Sequence, residues 1–195
     1  YMPECILACG PQQVGNGVPG GIEALVHTVR GTLEVNAQYA VIALDSTNAF
    51  NSLSPRSAYE AVCKHIPNLT FYAHSILSQQ LKVIFHKGNL TLVETMERGV
   101  VQGSPISGLI FNLTQADILK AAQQQHPNTI MLSLHDDHFV LGDPRDAFDA
   151  ARTLKEKLKS IGLSLNLSKS KIYCHTSLYP GLQAIISQSG IQVVP

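Results

Sequence analysis

The sequence predicts an α+β fold, an antiparallel sheet with helices packed on one face. Three observations carry that expectation. Apolar runs rich in β-formers come in pairs around short polar turns near 81–96 and 128–142, as hairpins do. Other segments repeat apolar residues three and four apart, the spacing of amphipathic helices. Strands and helices mix without the regular alternation of a doubly wound sheet. With 195 residues, 45% of them hydrophobic, the chain can bury a core as one domain or as one domain with a small appendage.

In chain order, "PQQVGNGVPGG" (11–21) reads as a Gly/Pro loop, and Ile22, Leu25, Val26, Val29 and Leu33 then mark a helix over about 22–35. "YAVIALD" (39–45) reads as a buried strand that delivers Asp45 to its C-terminal edge. Ser54 followed by Pro55 is a cap with proline at the first helical position, and Pro67 stops that helix. A helix over 71–79 precedes the first hairpin, "LKVIFH", "KGN", "LTLVETM". Ile106, Leu109, Ile110, Leu113 and Ala116 mark a helix to about Gln124, and "NTIMLSL" opens the second hairpin. Asp143 and Pro144 repeat the cap, Ala147, Ala151, Leu154, Leu158 and Ile161 carry the next helix, and Gly162 ends it. Short strands are expected near 163–166, 171–174 and the terminal "IQVVP".

Charged residues make up 14% of the chain and the formal net charge is zero, so nothing global favours a polyanionic partner and nucleic-acid binding must be argued locally. One local excess exists: Arg152, Lys155, Lys157, Lys159, Lys169 and Lys171 face Glu156 alone over 152–171, which suits nucleic acid or simply a solvated helix face. Cys5, Cys9, Cys63 and Cys174 form no CxxC pair, so reduced thiols of an intracellular protein, cytoplasmic or nuclear, are expected. The Asn-x-Ser/Thr tripeptides, beginning at Asn68, Asn89, Asn112 and Asn166, then carry no meaning. No apolar run approaches the roughly 20 residues of a membrane span, and "YMPECILACG" lacks the basic start of a signal peptide. The opening on Tyr1 and the ending "IQVVP" suggest a segment of a longer chain.

The chemistry concentrates in "LSLHDDHFVLGD" (132–143), where Asp136 and Asp137 stand between His135 and His138. An Asp pair in a turn is most often only a turn, because Asp bonds its own backbone there. Asp45 changes that balance, since a second strand then brings a third carboxylate to one sheet edge. Crowded carboxylates repel and take up protons unless a cation neutralises them, and hard oxygen donors suit Mg²⁺. His135 and His138 lack the further Cys or His at zinc-ligand spacing, so they are read as supporting or surface residues. No GxSxG nucleophile turn or phosphate loop is present.

"DSTNAFN" from Asp45, "RGVVQGSPISGLIFNL" (98–113), "LHDDHFVLG" and "GLSLNLSKSK" (162–171) occur in that order. Together they resemble the motifs of reverse transcriptases, especially those of non-LTR retrotransposons, and "QVGNGVPGGIEALVHTVR" is similar to the fingers segment ahead of them. The resemblance implies a polymerase palm over 37–195 with a fingers insertion at about 56–97, a partial fingers segment over 1–36, and an absent thumb. It implies RNA-directed DNA polymerisation, with Asp45 and Asp136 as principal metal ligands, Asp137 supporting them, and the carbonyl of Ser46 completing the shell around Mg²⁺ or Mn²⁺. Phe50 corresponds to the aromatic residue that excludes a 2′-hydroxyl, whereas periodicity alone makes it a core ring. Gln102 and Gly103 would shape the nucleotide and template pocket. Lys169 would approach the triphosphate or lie in solvent, and Arg98 stands open between a phosphate contact and a solvated edge. The implied partners are an RNA template, a DNA primer and dNTPs.

Leu134 replaces the aromatic residue that opens the family's hairpin motif, a change expected to weaken primer-end positioning rather than metal binding. Two rivals stand beside this reading. A catalytically inactive or domesticated reverse-transcriptase-derived module would bind nucleic acid or protein without chemistry, as the neutral charge and the missing subdomains favour. An RNA-dependent RNA polymerase shares the acidic hairpin, but Phe50 argues against ribonucleotides.

Overall fold

The computed structural model describes residues 1–79 and 81–194. Its main sheet has the order β4-β5-β1-β6-β7, with β1 (Ala40–Leu44) at the centre, β4 (Ile130–Leu134) and β5 (Asp137–Gly142) as a hairpin on one side, and β6 (Lys171–Tyr173) and β7 (Gln192–Val194) on the other. β1 runs antiparallel to both β5 and β6, and β7 pairs parallel to β6. The expected α+β class with an antiparallel-rich sheet is therefore what forms.

Alternation along the strands explains which face is covered. Ala40, Ile42 and Leu44 of β1, with Val140 of β5, Met131 of β4 and Ile172 of β6, join one buried core with α6 (Ser107–Gln125) and α7 (Pro144–Lys159). Each Leu or Ile side chain buried there contributes roughly 1.5–3 kcal/mol. Phe111, Leu113 and Leu119 of α6 and Leu154 and Leu158 of α7 are fully buried among them. Both capping devices read in the sequence form: Ser54 Oγ accepts from Ser57 N at 3.2 Å at the head of α4 (Pro55–His65), and Asp143 Oδ1 accepts from Arg145 N at 3.0 Å at the head of α7. Gly162, at φ +87°, turns the chain away after α7.

The remaining elements are α1 (Met2–Cys9), α2 (Gly21–Val35), α3 (Ala49–Ser52), α5 (Thr70–Leu77), α8 (Tyr179–Ser189) and the hairpin β2 (Leu81–Lys87) and β3 (Leu90–Met96). That hairpin forms a separate two-stranded sheet, with Val83, Ile84, Phe85, Leu92 and Val93 exposed. Three helices were not expected. α1 buries Cys5, Ala8 and Cys9, so its apolar stripe is built partly of cysteine, which packs as a small hydrophobe. α3 is a single turn. α8 carries a proline in its first turn and ends at Gly190 in the left-handed region, signals that fit a helix but surround only one buried residue, Leu182. The strand expected at 163–166 shrinks to an isolated bridge between Leu165 and Ser46, because this segment braces a loop instead of joining the sheet. The end of the expected terminal strand, Pro195, lies outside the described residues.

Candidate active site

Asp45 leaves the end of β1, and three contacts from the 162–171 segment hold its loop. Asn166 N donates to Asp45 O at 2.8 Å, Asp45 N donates to Ser170 Oγ at 3.1 Å, and Thr47 N donates to Ser164 O at 2.8 Å. Ser170 Oγ in turn donates to Asn166 O at 2.9 Å. The "SLNLSKS" stretch thus acts as a backbone brace for the acid. Ser46, beside it, is buried, and its hydroxyl finds no partner among the described atoms.

The register of two strand pairs brings the acids together. β1 pairs Leu44 with His138, and β4 pairs Leu134 with Asp137, so the register directs Asp45, just past the end of β1, toward Asp137, close enough for its charge to act on that carboxyl. His138, next in β5, points to the opposite, helix-covered face, fully buried, with Nδ1 2.7 Å from Ser133 Oγ. Asp45 and Asp136 are half-buried and Asp137 is exposed.

Electrostatics reflects this crowding. The Asp137 carboxyl is pushed above its usual value, first by desolvation and then by the charges of Asp136 and Asp45, with His135 pulling the other way. Burial alone lowers His138 to about 4, so it is neutral near pH 7. Hard oxygen donors that repel one another suit a divalent cation in chemistry. Among the described residues, however, no group of three His, Cys, Asp or Glu side chains is gathered closely enough to hold a metal ion as it stands. The carboxylates are juxtaposed, and a closed coordination sphere is not formed.

Phe50, on α3, is half-buried and stacks on Phe111 with ring centroids 4.5 Å apart and planes 12° from parallel. Its ring also meets His135 at 6.4 Å, which brings the expected gate residue to the acidic hairpin. Gln102 and Gly103 lie exposed in the loop before α6, Gly103 at φ +90° with open space where a side chain would be. Lys169 is exposed in a turn whose amide bonds back to Asn166 O at 3.2 Å. Arg98 is exposed and sets its guanidinium against Gly162, where a Cβ would approach Nη2 to 2.6 Å. It makes no ion pair with Asp45, Asp136 or Asp137 among the described residues.

Sequence reasoning missed what lies beneath the hairpin turn. His135, at φ 55°, is bonded through both backbone groups by Gln13, whose Nε2 donates to His135 O at 3.1 Å and whose Oε1 accepts from His135 N at 2.8 Å. Gln115 Nε2 also donates to His135 O, at 2.6 Å. A non-glycine residue inside a two-residue hairpin turn was the available signal, since such turns favour Asn-Gly.

Residues 11–186 match the family described as reverse transcriptase (RNA-dependent DNA polymerase). The chain belongs to the reverse transcriptase family. A curated relative of this reverse transcriptase domain is the retrotransposable element SLACS 132 kDa protein of Trypanosoma brucei gambiense, 24% identical over 168 residues, which cover 80% of this chain and 13% of that protein. Among solved structures, the domain is similar to apo telomerase from Candida tropicalis truncated from its C-terminal domain, at a TM-score of 0.64 and 15% identity, covering 86% of this chain and 38% of that one. It is also similar to telomerase from Candida albicans in complex with a TWJ fragment of telomeric RNA, at 0.56 and 13%, covering 89% and 32%. At those identities the likeness is one of fold. No helix among the described residues of the reverse transcriptase domain is long and apolar enough to cross a membrane.

Proposed function

We propose that this chain is the polymerising core of a retroelement reverse transcriptase of the non-LTR type, RNA-directed and DNA-making. In this reading residues 37–195 form the palm, with fingers elements over 1–36 and about 56–97. The observation that carries it is the approach of Asp45 and Asp137 at the ends of paired strands, with the Asp137 carboxyl raised first by desolvation and then by its acidic neighbours.

Asp45, Asp136, Asp137 and the carbonyl of Ser46 would hold Mg²⁺ or Mn²⁺. When bound, two such ions activate an attacking oxygen and neutralise a leaving one in phosphoryl transfer. The reaction is in-line attack of a primer 3′-hydroxyl on the α-phosphate of a dNTP, expelling pyrophosphate. The chain's own residues orient the partners. Phe50, backed by Phe111, presents a flat ring against the sugar edge, where a 2′-hydroxyl would clash, and so selects deoxynucleotides. The Gln102 amide donates and accepts beside Gly103, whose lack of a side chain lets nucleotide and template come close. The Lys169 ammonium pairs with the triphosphate and, as a general acid, gives its proton to the leaving pyrophosphate oxygen. Arg98, packed on Gly162, is assigned a bracing role, away from the phosphates.

Primer extension tests this, with Mg²⁺ or Mn²⁺, RNA or DNA templates, and dNTPs or rNTPs, using a longer protein that carries this segment with its flanking regions. Extension on RNA with dNTPs, lost in Asp45→Ala and Asp136→Ala, is the expected result. No extension, or extension untouched by Asp136→Ala, refutes the proposal in favour of a binding module; a preference for rNTPs favours an RNA-making enzyme.

A further inference from the structure

Beneath the acidic hairpin lies a set of buried amides with no part in the chemistry proposed above. Gln13 and Gln115 are 2% and 0% exposed, yet come from segments a hundred residues apart in the chain, and both converge on one backbone unit, that of His135. An uncharged amide that donates to a carbonyl and accepts from the N–H of the same residue imitates a strand partner. Gln13 does this while its own backbone bridges Ser133 of β4, and its Oε1 accepts also from Gly15 N at 2.9 Å. Gly15 is required for the approach, since a Cβ there would stand 2.7 Å from His135 N. The imidazole is caught too, with Nδ1 3.3 Å from Asn112 Oδ1 and the ring beside Phe50.

His135 is held at φ 55°, a left-handed region uncommon for any residue but glycine, although histidine enters it more often than most. Asp136 and Asp137 follow immediately, so the torsions of His135 aim both carboxylates. We propose that Gln13 and Gln115 are positioning residues that lock His135 in its left-handed conformation and thereby set where Asp136 and Asp137 stand relative to Asp45. The lock rests on the reading of these acids as cation ligands, and it makes the segment ahead of α2 part of the site. A loop that only links elements would have no need of a fully buried amide.

The test uses Gln13→Met and Gln115→Met, which keep volume and remove the amide, with Gln13→Glu as the milder variant that retains the acceptor half. Two readouts need no turnover: amide hydrogen exchange at 134–137, and Mn²⁺ affinity followed by electron paramagnetic resonance. In Gln13→Met, exchange at 134–137 becomes about tenfold faster while α6 and α7 keep their protection, and Mn²⁺ binds about tenfold more weakly. Gln13→Glu shows the same losses at smaller size. Adding His135→Gly to Gln13→Met recovers part of both, because glycine enters the left-handed region freely; a general loss of packing would not be recovered this way. Wild-type exchange and Mn²⁺ affinity in both Met variants overturn the lock, and so does a loss that glycine leaves untouched. Failure of the polymerase reading looks different: a wild-type protein that neither binds Mn²⁺ nor extends a primer refutes that reading, while exchange at 134–137 still decides the lock.

Discussion

His138 gives the sharpest test of the architecture behind the acids. It is fully buried, bonded only through Nδ1 to Ser133 Oγ, and its Nε2 has no partner among the described atoms. A proton there would have to enter an apolar, helix-covered layer, which is why burial lowers its pKa from 6.5 to about 4. The unfolded chain accepts that proton and the folded one resists it. Stability is therefore fully present above about pH 7 and is lost as pH falls from about 6.5 through about 4. Linkage makes the complete loss about 3 kcal/mol, of which about 1.4 kcal/mol is felt at pH 5.5, a large share of the roughly 5–15 kcal/mol that holds a domain folded. Asp137 works in the opposite direction, because its raised carboxyl takes up a proton more readily in the folded state. A His138→Gln variant keeps Asp137 and a hydrogen-bonding partner for Ser133, so the difference between variant and wild type isolates the imidazole. Urea unfolding followed by circular dichroism at pH 7.5 and 5.5, without divalent cations, should show the wild type losing about 1.4 kcal/mol more than the variant. Equal losses would mean that His138 is solvated in the native protein, and the assignment of faces across β5 would fall with it.

Three further outcomes are expected. Asp137→Asn removes a carboxylate whose ionised form is disfavoured by desolvation and by Asp136 and Asp45, so in EDTA at pH 7.5 it should melt above the wild type, and Mg²⁺ should narrow that gap; a lower melting temperature in EDTA contradicts that destabilisation. Gly99→Ala forces a side chain into φ +88° with its Cβ 2.5 Å from the Asn51 backbone, and should cost roughly 2–5 kcal/mol in a urea titration; near-neutral behaviour contradicts the packing of Gly99 on Asn51. Phe111→Ala empties a fully buried site beneath Phe50, costing roughly 3–5 kcal/mol, and should narrow the preference for dNTPs over rNTPs in primer extension more than Phe111→Leu does.

Local chemistry made much of this protein readable in one dimension. β1 is a run of β-formers ending in an acid, α4 and α7 begin at a cap followed by proline, and α6 repeats its apolar residues at helical spacing; each signal acts within a few residues and survives whatever surrounds it. The family motifs likewise marked Asp45, Phe50, Asp136 and Asp137, which the fold brings near one another. Other features depend on distant partners and were not legible. Whether 163–166 makes a strand or a brace depended on Asp45 and Thr47 needing partners at 166 and 164. The guanidinium of Arg98 settled on Gly162 only because the turn after α7 arrives there. The polar Gln13 and Gln115 are buried where the left-handed backbone of His135, contributed by the β4–β5 hairpin, engages both amide ends of Gln13 and the Nε2 of Gln115, a convergence that nothing local to either glutamine announces. By itself, then, the sequence determined β1, α4, α6, α7 and the two hairpins, whose signals are local; tertiary structure alone decided α1, α3, α8, the brace at 163–166 and the burial of Gln13 and Gln115, because each of these depends on partners from distant parts of the chain.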